Sequence, residues 1–199
     1  PSRNLIAHYE SEGDNIRMNQ TIVWDQPGWS TYYPSDNYPF MYKMRCNASS
    51  IIKMRLAEIY LLHAEALAQT DDLGGAAGYV NRVRDRVDLN DLPSSASASK
   101  ESMIEAVLDE RRLELAFEGH RWFDLVRLDK AIECVHGLNT PGSRSYDPVK
   151  PEVRKITENG LLMPSPDEQN DNNPHLEPNP GHRKVRRRNR YKTRLNTKH

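Results

Sequence analysis

Apolar side chains recur at helical spacing through the middle of the chain. After residue 50, Leu56, Ile59, Tyr60, His63 and Leu67 lie on one helical face of a segment rich in Ala, Leu and Glu. The spacing predicts an amphipathic helix that buries these five side chains. On that face His63 is predicted to be a core histidine and not a ligand.

A second helix is predicted directly after the turn at residues 71–75, where two aspartates offer N-caps and two glycines break the first helix. Its expected buried residues are spaced at i, i+4, i+7 and i+11: Ala76, Val80, Val83 and Val87. The two helices form an αα-hairpin of about the 34-residue size of a tetratricopeptide repeat. One such hairpin cannot cover its own apolar face, so we expect it to pack against neighbours.

A third helix is predicted after a serine-rich surface loop, with Ser102 and Glu105 forming a capping box. Its buried side is marked by Ile104, Val107, Leu108 and Leu115. Gly119 interrupts this helix, and a short apolar helix follows it. Trp122 and Phe123 are expected in the core of that short helix.

Residues 1–50 show no helical periodicity, and turn formers are frequent there. One short run, residues 21–24, is β-like, and within it Trp24 is expected to be buried. Most of the aromatic residues fall in this part: Trp24, Trp29, Tyr32, Tyr33, Tyr38, Phe40 and Tyr42. Beyond residue 137 the pattern is loop-like, with an extended piece at 160–164 and turns to 182.

The chain therefore divides into a loop-rich aromatic segment (1–50), a helical region (51–182) and a basic tail (183–199) that we expect to be disordered. The formal net charge is zero, but the tail holds nine of the 28 basic residues, so the rest has 19 basic against 28 acidic residues. A body this acidic repels phosphates, and a terminal basic run is usually solvated, so no nucleic-acid partner is predicted.

Two further features bear on function class. Cys46 and Cys134 fit no metal-ligand spacing, and either a disulfide or two thiols is compatible with the sequence. No apolar run reaches the length of a membrane span, and no metal or cofactor motif occurs. The chain opens on Pro-Ser-Arg-Asn without a signal-peptide pattern, so we expect it to be an excerpt of a longer protein.

Three glutamates at i, i+4 and i+8 are the candidates for acid–base chemistry: Glu110, Glu114 and Glu118. The neighbouring arginines, Arg111, Arg112 and Arg121, favour another interpretation, an ion-paired frame beside an apolar cluster. We predict the frame, and therefore no catalytic residue. His120, after the glycine break, is expected to cap or pack.

The stretch 110–127 (Glu-Arg-Arg-Leu-Glu-Leu-Ala-Phe-Glu-Gly-His-Arg-Trp-Phe-Asp-Leu-Val-Arg) resembles the signature of SusD/RagB-like proteins. Other stretches resemble further parts of that family in the same order: 13–17, 54–66, 81–86, and the ending at 161–166 with 173–181. The resemblance covers about residues 12–182. It departs at His182, where the family ends on Asn-Pro-Gly-Tyr, and in the basic tail that follows.

The resemblance implies a mainly α, SusD-like fold, here partial, with a tetratricopeptide-like hairpin, packed helices and long irregular loops. It implies a non-catalytic lipoprotein on the cell-surface side of the outer membrane. Such a protein captures oligosaccharides for a SusC-like TonB-dependent transporter in polysaccharide utilisation. The lipid anchor would belong to an N-terminal part outside this chain.

If the chain captures glycans as the resemblance implies, the aromatic segment is the expected glycan site. Trp29, Tyr32 and Tyr33 offer flat rings that stack on the C–H faces of sugars, and Asp25 can bond sugar hydroxyls. Alternatively, these rings anchor a long loop onto the helices. The chain would then be a structural or transporter-docking module without its own glycan site. A glycoside hydrolase using Glu110 or Glu114 is a third, less favoured hypothesis.

Overall fold

Helices account for most of the residues that the structure, a computed structural model, describes: 1–25, 38–43, 52–137, 156–173 and 175–182. The mainly α prediction is confirmed. In chain order the elements are α1 (Arg3–Glu12), α2 (Asn15–Thr21), β1 (Ile22–Asp25), β2 (Tyr38–Met41), α3 (Leu56–Gln69), α4 (Leu73–Asp85), α5 (Lys100–Glu114), α6 (Arg121–Arg127), α7 (Ala131–Gly137) and α8 (Asp167–Asn172). Cys46 and the basic tail lie outside the described residues.

The predicted αα-hairpin is present as α3 and α4, and α5 packs across it. Asp72 caps α4, and its Oδ1 accepts a hydrogen bond from the Gly75 amide at 2.9 Å. The core between the three helices consists of small and medium apolar side chains: Leu61, Ala64, Ala68, Ala76, Val80, Val83, Met103 and Val107. Ala76, Val80, Val83 and Val87 are all buried, as predicted.

The predicted buried face of α3 is only partly correct: Tyr60 and Leu67 are half-buried against the core, but the other three residues are exposed. Leu56 is 63% exposed, Ile59 is also exposed, and His63 lies at the surface with its ring edge-on to Tyr79, 4.4 Å between centroids. The helix instead turns Leu61, Ala64 and Ala68 inward, because small side chains let α4 and α5 approach closely. Apolar residues occur around most of α3, so periodicity alone selects the wrong face.

Two expectations about α5 and α6 also need correction. Ser99 caps α5, accepting from the Ser102 amide at 3.1 Å, because Ser99 has extended backbone while Ser102 is already helical. Phe123 is not a core residue. It is 69% exposed, since α6 turns Asp124 and Leu125 inward, whereas Trp122 is half-buried against Leu108, Leu125 and Ala131.

The first 25 residues contain two helices that the sequence pattern missed. Ser2 caps α1, Asp14 caps α2, and Gly13 joins them in the left-handed region at φ 71°. Both helices are short, and α1 carries few apolar residues. Tyr9 is fully buried and its hydroxyl donates to the Leu113 carbonyl at 2.7 Å, which ties α1 to α5.

The C-terminal part also differs from prediction in detail. The residues expected to be extended at 160–164 begin as a short 3-10 turn, Glu158–Leu161, and become extended only at Leu162. The short helix α8 lies within the region predicted as turns. Among the described residues, no helix is long and apolar enough to cross a membrane.

Candidate functional site

The short β-ribbon of β1 and β2 carries the aromatic segment. The strands pair antiparallel, with Ile22 opposite Met41 and Asp25 opposite Tyr38, which confirms the β-like run. Residues 26–37, which include the predicted ligands Trp29, Tyr32 and Tyr33, join Asp25 to Tyr38 and lie outside the described residues. Of the four predicted glycan ligands, the structure therefore places only Asp25, exposed at the end of β1.

Strand alternation divides the ribbon side chains between two faces. Asp25, Tyr38 and Phe40 share one face, and the Tyr38 and Phe40 rings meet edge to face with centroids 5.3 Å apart. Trp24 lies on the other face and is 44% exposed, so the expectation that it is buried is wrong. Only Ile22, at the base of the ribbon, packs fully into the core with Leu113.

Behind the ribbon, Glu114 is the centre of a buried ion-pair network. Its carboxylate lies 3.1 Å from Nη1 of Arg17, 2.6 Å from Nη1 of Arg55 and 2.6 Å from Nη2 of Arg86. These three arginines come from α2, the residue before α3, and the end of α4. A single carboxylate on α5 thus connects four segments of the chain.

Glu110, one turn earlier on α5, extends the network. It lies 2.5 Å from Nη1 of Arg17 and 3.0 Å from Nη1 of Arg84. Arg17 also pairs with the buried Asp14, the cap of α2. Buried charges are stable only when they are paired, so each of these groups depends on the others.

Glu118 connects the network to the ribbon. Lys43, two residues after β2, lies 2.5 Å from Glu118 Oε1 and donates to the Glu114 carbonyl at 2.7 Å. Arg55 Nε donates to Glu118 at 2.9 Å. A backbone bond from Tyr42 N to the Thr21 carbonyl, 2.8 Å, closes the base of the ribbon. The ribbon is therefore attached to the helical body through charged groups.

The electrostatics of Glu114 and Glu118 do not fit the role of a general acid at neutral pH. Burial raises the pKa of Glu114, but hydrogen bonds and charges from Arg55, Arg86 and Arg17 outweigh it and leave that pKa below its ordinary value. The pKa of Glu118 is lowered in the same way: burial raises it, but Arg55 and Lys43 outweigh burial. A general acid at neutral pH needs a raised carboxyl pKa.

The predicted ion-paired frame is thus present, although its partners differ from those expected. Arg111 pairs with Asp124 of α6 at 2.9 Å and not with the three glutamates, and neither Arg112 nor Arg121 forms a salt bridge within the described residues. The actual partners are Arg17, Lys43, Arg55, Arg84 and Arg86. The sequence gives only an indirect signal for these basic residues. Three buried carboxylates require cations beside them, but the spacing along the chain does not identify which Lys or Arg residues supply them.

A second charged cluster fixes α6. Asp124 accepts from Arg111 and from Arg127, whose Nη2 also donates to Glu65 of α3 at 2.7 Å. His120 lies at the start of α6 with Nδ1 3.4 Å from Glu58, a packing position as expected. Among the described residues no three His, Cys, Asp or Glu side chains are grouped to hold a metal ion. Cys134 is half-buried beside α6.

A sequence model of the SusD family matches residues 29–182, more than half of the chain. The chain belongs to the SusD family. SusD-like protein P38 of Formosa agariphila is 38% identical over 97 residues, which cover 46% of this chain and 19% of that protein. SusD-like protein P2 of the same organism is 32% identical over 145 residues, 69% of this chain and 27% of that protein.

Two solved structures show the same fold. A SusD superfamily protein from Bacteroides vulgatus superposes with a TM-score of 0.68 at 22% identity, covering 92% of this chain and 44% of that one. A candidate sugar binding protein from the same organism superposes with a TM-score of 0.59 at 24% identity, covering 90% of this chain and 38% of that one. This SusD family chain therefore spans about a fifth to a quarter of these curated relatives and less than half of the solved structures.

Proposed function

We propose that this SusD family protein captures oligosaccharides at the cell-surface side of the outer membrane without turning them over. It would deliver them to a SusC-like TonB-dependent transporter, held by a lipid anchor on an N-terminal part of the longer polypeptide. The observation that carries the proposal is the aromatic ribbon: Asp25 lies opposite Tyr38, Tyr38 contacts Phe40, and Trp24 is exposed.

The physical argument is that sugars bind to rings and hydroxyl partners held on a rigid support. A pyranose presents an apolar C–H face to a ring and hydroxyls to carboxylates. The ribbon offers apolar surface on both faces, and Lys43 fixes its base to Glu118, which Arg55 at the start of α3 also holds. Trp29, Tyr32 and Tyr33 are proposed ligands because they lie in the segment that joins the two strands.

Affinity electrophoresis through gels containing a panel of soluble polysaccharides tests this proposal. The wild-type protein is expected to be retarded by at least one glycan, and Trp29→Ala and Tyr32→Ala are expected to migrate freely on it. Tyr79→Ala is the matched control, since Tyr79 is a half-buried ring on the α3–α4 hairpin, away from the ribbon. Unchanged mobility of the wild type on every glycan would contradict a glycan site in this chain.

A second candidate function, docking of a protein partner, is favoured by the outer side of α3. Apolar side chains are exposed there within the described residues: Met54, Leu56, Ile59 and Leu62. Contiguous exposed apolar surface usually marks a contact with protein. If docking is the only role, Leu56→Asp abolishes co-purification with the transporter, and the ribbon variants leave every glycan measurement unchanged.

A further inference from the structure

The part of the chain that carries the aromatic ribbon contains acidic residues but no basic ones. Residues 18–42, which hold both strands and the segment that joins them, include Asp25 and Asp36 and no Lys, Arg or His. The basic residues that flank this stretch on either side are Arg17 and Lys43. The electrostatic character of the ribbon therefore depends on what these two cations contact.

Both flanking cations are bound to acidic residues of α5 and of the turn after it. Arg17 is buried and lies 2.5 Å from Glu110 and 3.1 Å from Glu114. Lys43 Nζ lies 2.5 Å from Glu118 Oε1 and donates to the Glu114 carbonyl at 2.7 Å. The charges of both cations are offset inside the helical body, so they do little to balance a negative charge on a ligand of the ribbon.

Asp25 lies on the same face of the ribbon as the aromatic pair. It is exposed and stands opposite Tyr38, and the Tyr38 ring meets the Phe40 ring edge to face. Residues directly opposite each other in an antiparallel pair have Cβ atoms about 5 Å apart. A sugar ring stacked on Tyr38 therefore lies within reach of the Asp25 carboxylate.

A carboxylate beside a stacking ring discriminates between sugars by their charge. The hydroxyl groups of a neutral sugar donate hydrogen bonds to a carboxylate, which is a strong acceptor. A uronic acid or a sulfated sugar brings a second negative charge to the same place, and like charges a few ångströms apart repel each other. Anionic groups that leave water also need a cationic partner, usually Arg or Lys. Both effects favour the neutral sugar.

We infer that the ribbon binds neutral oligosaccharides and that Asp25 excludes anionic ones, such as uronate-containing or sulfated glycans. This inference rests on the proposed glycan function and adds to it the class of glycan. The charge of the rest of the chain acts in the same direction, since residues 1–182 hold 19 basic and 28 acidic residues. A negative body lowers the local concentration of anionic ligands.

Affinity electrophoresis tests the inference if the glycan panel includes matched pairs that share a backbone and differ in charge. Suitable pairs are hydroxyethylcellulose with carboxymethylcellulose, dextran with dextran sulfate, and arabinoxylan with glucuronoxylan. The basic residues 183–199 attract any anionic polymer, so binding by the ribbon is defined as the retardation that Tyr38→Ala removes. We expect the wild type to show such ribbon binding with neutral glycans and not with their anionic counterparts.

The variant Asp25→Asn removes the excluding charge and keeps the size of the side chain. With and without Tyr38→Ala, it should show ribbon binding to the anionic glycans tightened by about fivefold, roughly the effect of one like charge a few ångströms away in water. Its binding to neutral glycans should not tighten. Glu101→Gln is the matched control, because it makes the same change of charge at the exposed start of α5, about 20 Å along the helix from Glu114.

Two results would overturn the inference alone. One is ribbon binding of the wild type to an anionic glycan that is as tight as to its neutral counterpart. The other is an Asp25→Asn variant that binds anionic glycans no better than Glu101→Gln does. Absence of ribbon binding to every glycan of the panel, in the wild type and in Asp25→Asn, would contradict the proposed glycan function itself and the inference with it.

Discussion

The guanidinium of Arg17 lies 2.5 Å from the Glu110 carboxylate, although 93 positions separate the two residues in the chain. Both side chains are buried, and Arg17 also reaches Asp14 and Glu114. One side chain thus joins α2, the helix that leads into the ribbon, to α5. Glu110, Glu114 and Glu118 of the signature thus hold buried ion pairs that connect α5 to the segments on either side of the ribbon.

Replacing Arg17 is therefore expected to lower the free energy of unfolding strongly. Arg17→Met leaves Asp14, Glu110 and Glu114 with too little positive charge in a buried site, at a cost of about 3–5 kcal/mol in the free energy of unfolding. Chemical denaturation measures it. Arg82→Met, at an exposed arginine over two tyrosine rings, is the control and should cost less than about 1 kcal/mol. Equal losses for the two variants would contradict a special role for Arg17.

The ion-pair network also predicts how the free energy of unfolding changes as the pH falls. The pKa of Glu114 is lowered from its ordinary value of 4.5 in the folded state, so its contribution is full above pH 4.5 and is lost as pH falls through the lower folded value. Glu114→Gln should be much less stable than wild type at pH 7, and the difference should narrow below pH 4.5. Urea denaturation from pH 3 to pH 7 measures this, and a difference that stays constant would refute it.

The contribution of Tyr9 to the free energy of unfolding has the opposite pH dependence and is lost at alkaline pH. Burial raises the pKa of Tyr9 to about 12, so its contribution is full below the ordinary value of 10.0 and is lost as pH rises towards 12. Tyr9→Phe removes the hydrogen bond to the Leu113 carbonyl and should cost about 1–3 kcal/mol near pH 8. The ultraviolet titration should show one fewer late-ionising tyrosine in the variant. An unchanged titration would show that Tyr9 is not buried.

Helix α4 contains a matched pair of glycines, Gly75 and Gly78. A Cβ at Gly75 would lie 2.5 Å from the capping carboxylate of Asp72, whereas a Cβ at Gly78 would meet nothing within 4 Å. Gly75→Ala should lower the free energy of unfolding by about 1 kcal/mol through the lost cap. Gly78→Ala should raise it by about 0.5–1 kcal/mol, because alanine favours a helix interior. Thermal unfolding measures both, and changes of the same sign would contradict the cap geometry.

The sequence pattern predicts the helical hairpin well because it depends on local signals. Asp72 before two glycines, followed by Ala76, Val80 and Val83 at helical spacing, marks a helix start and its buried side. The same reasoning fails on α3, whose apolar residues surround most of the helix. The choice of face was made by the close packing of alanines against α4 and α5, a tertiary effect.

The candidate site is predicted less completely. The β-like run was visible, and so were the three glutamates that proved to be ion-paired. The basic partners of these glutamates are not visible in the sequence, because they lie far away along the chain. Arg17 is 93 positions from Glu110, and Arg55 is 63 positions from Glu118. The exposure of Trp24 was also missed, since a short strand pattern does not say whether a ribbon packs against the body or projects from it.

Titration calorimetry with the glycan that retards the protein most strongly is the most direct test of the central claim, that the ribbon binds sugar and catalysis is absent. Trp29→Ala and Tyr38→Ala are predicted to weaken binding by about tenfold or more, since a lost ring contact is worth about 1.4 kcal/mol, while Tyr79→Ala binds as the wild type does. The sugar should be recovered unchanged after the titration. Equal affinity in all four proteins, or release of shorter sugars that ceases on Glu114→Gln, would contradict the account.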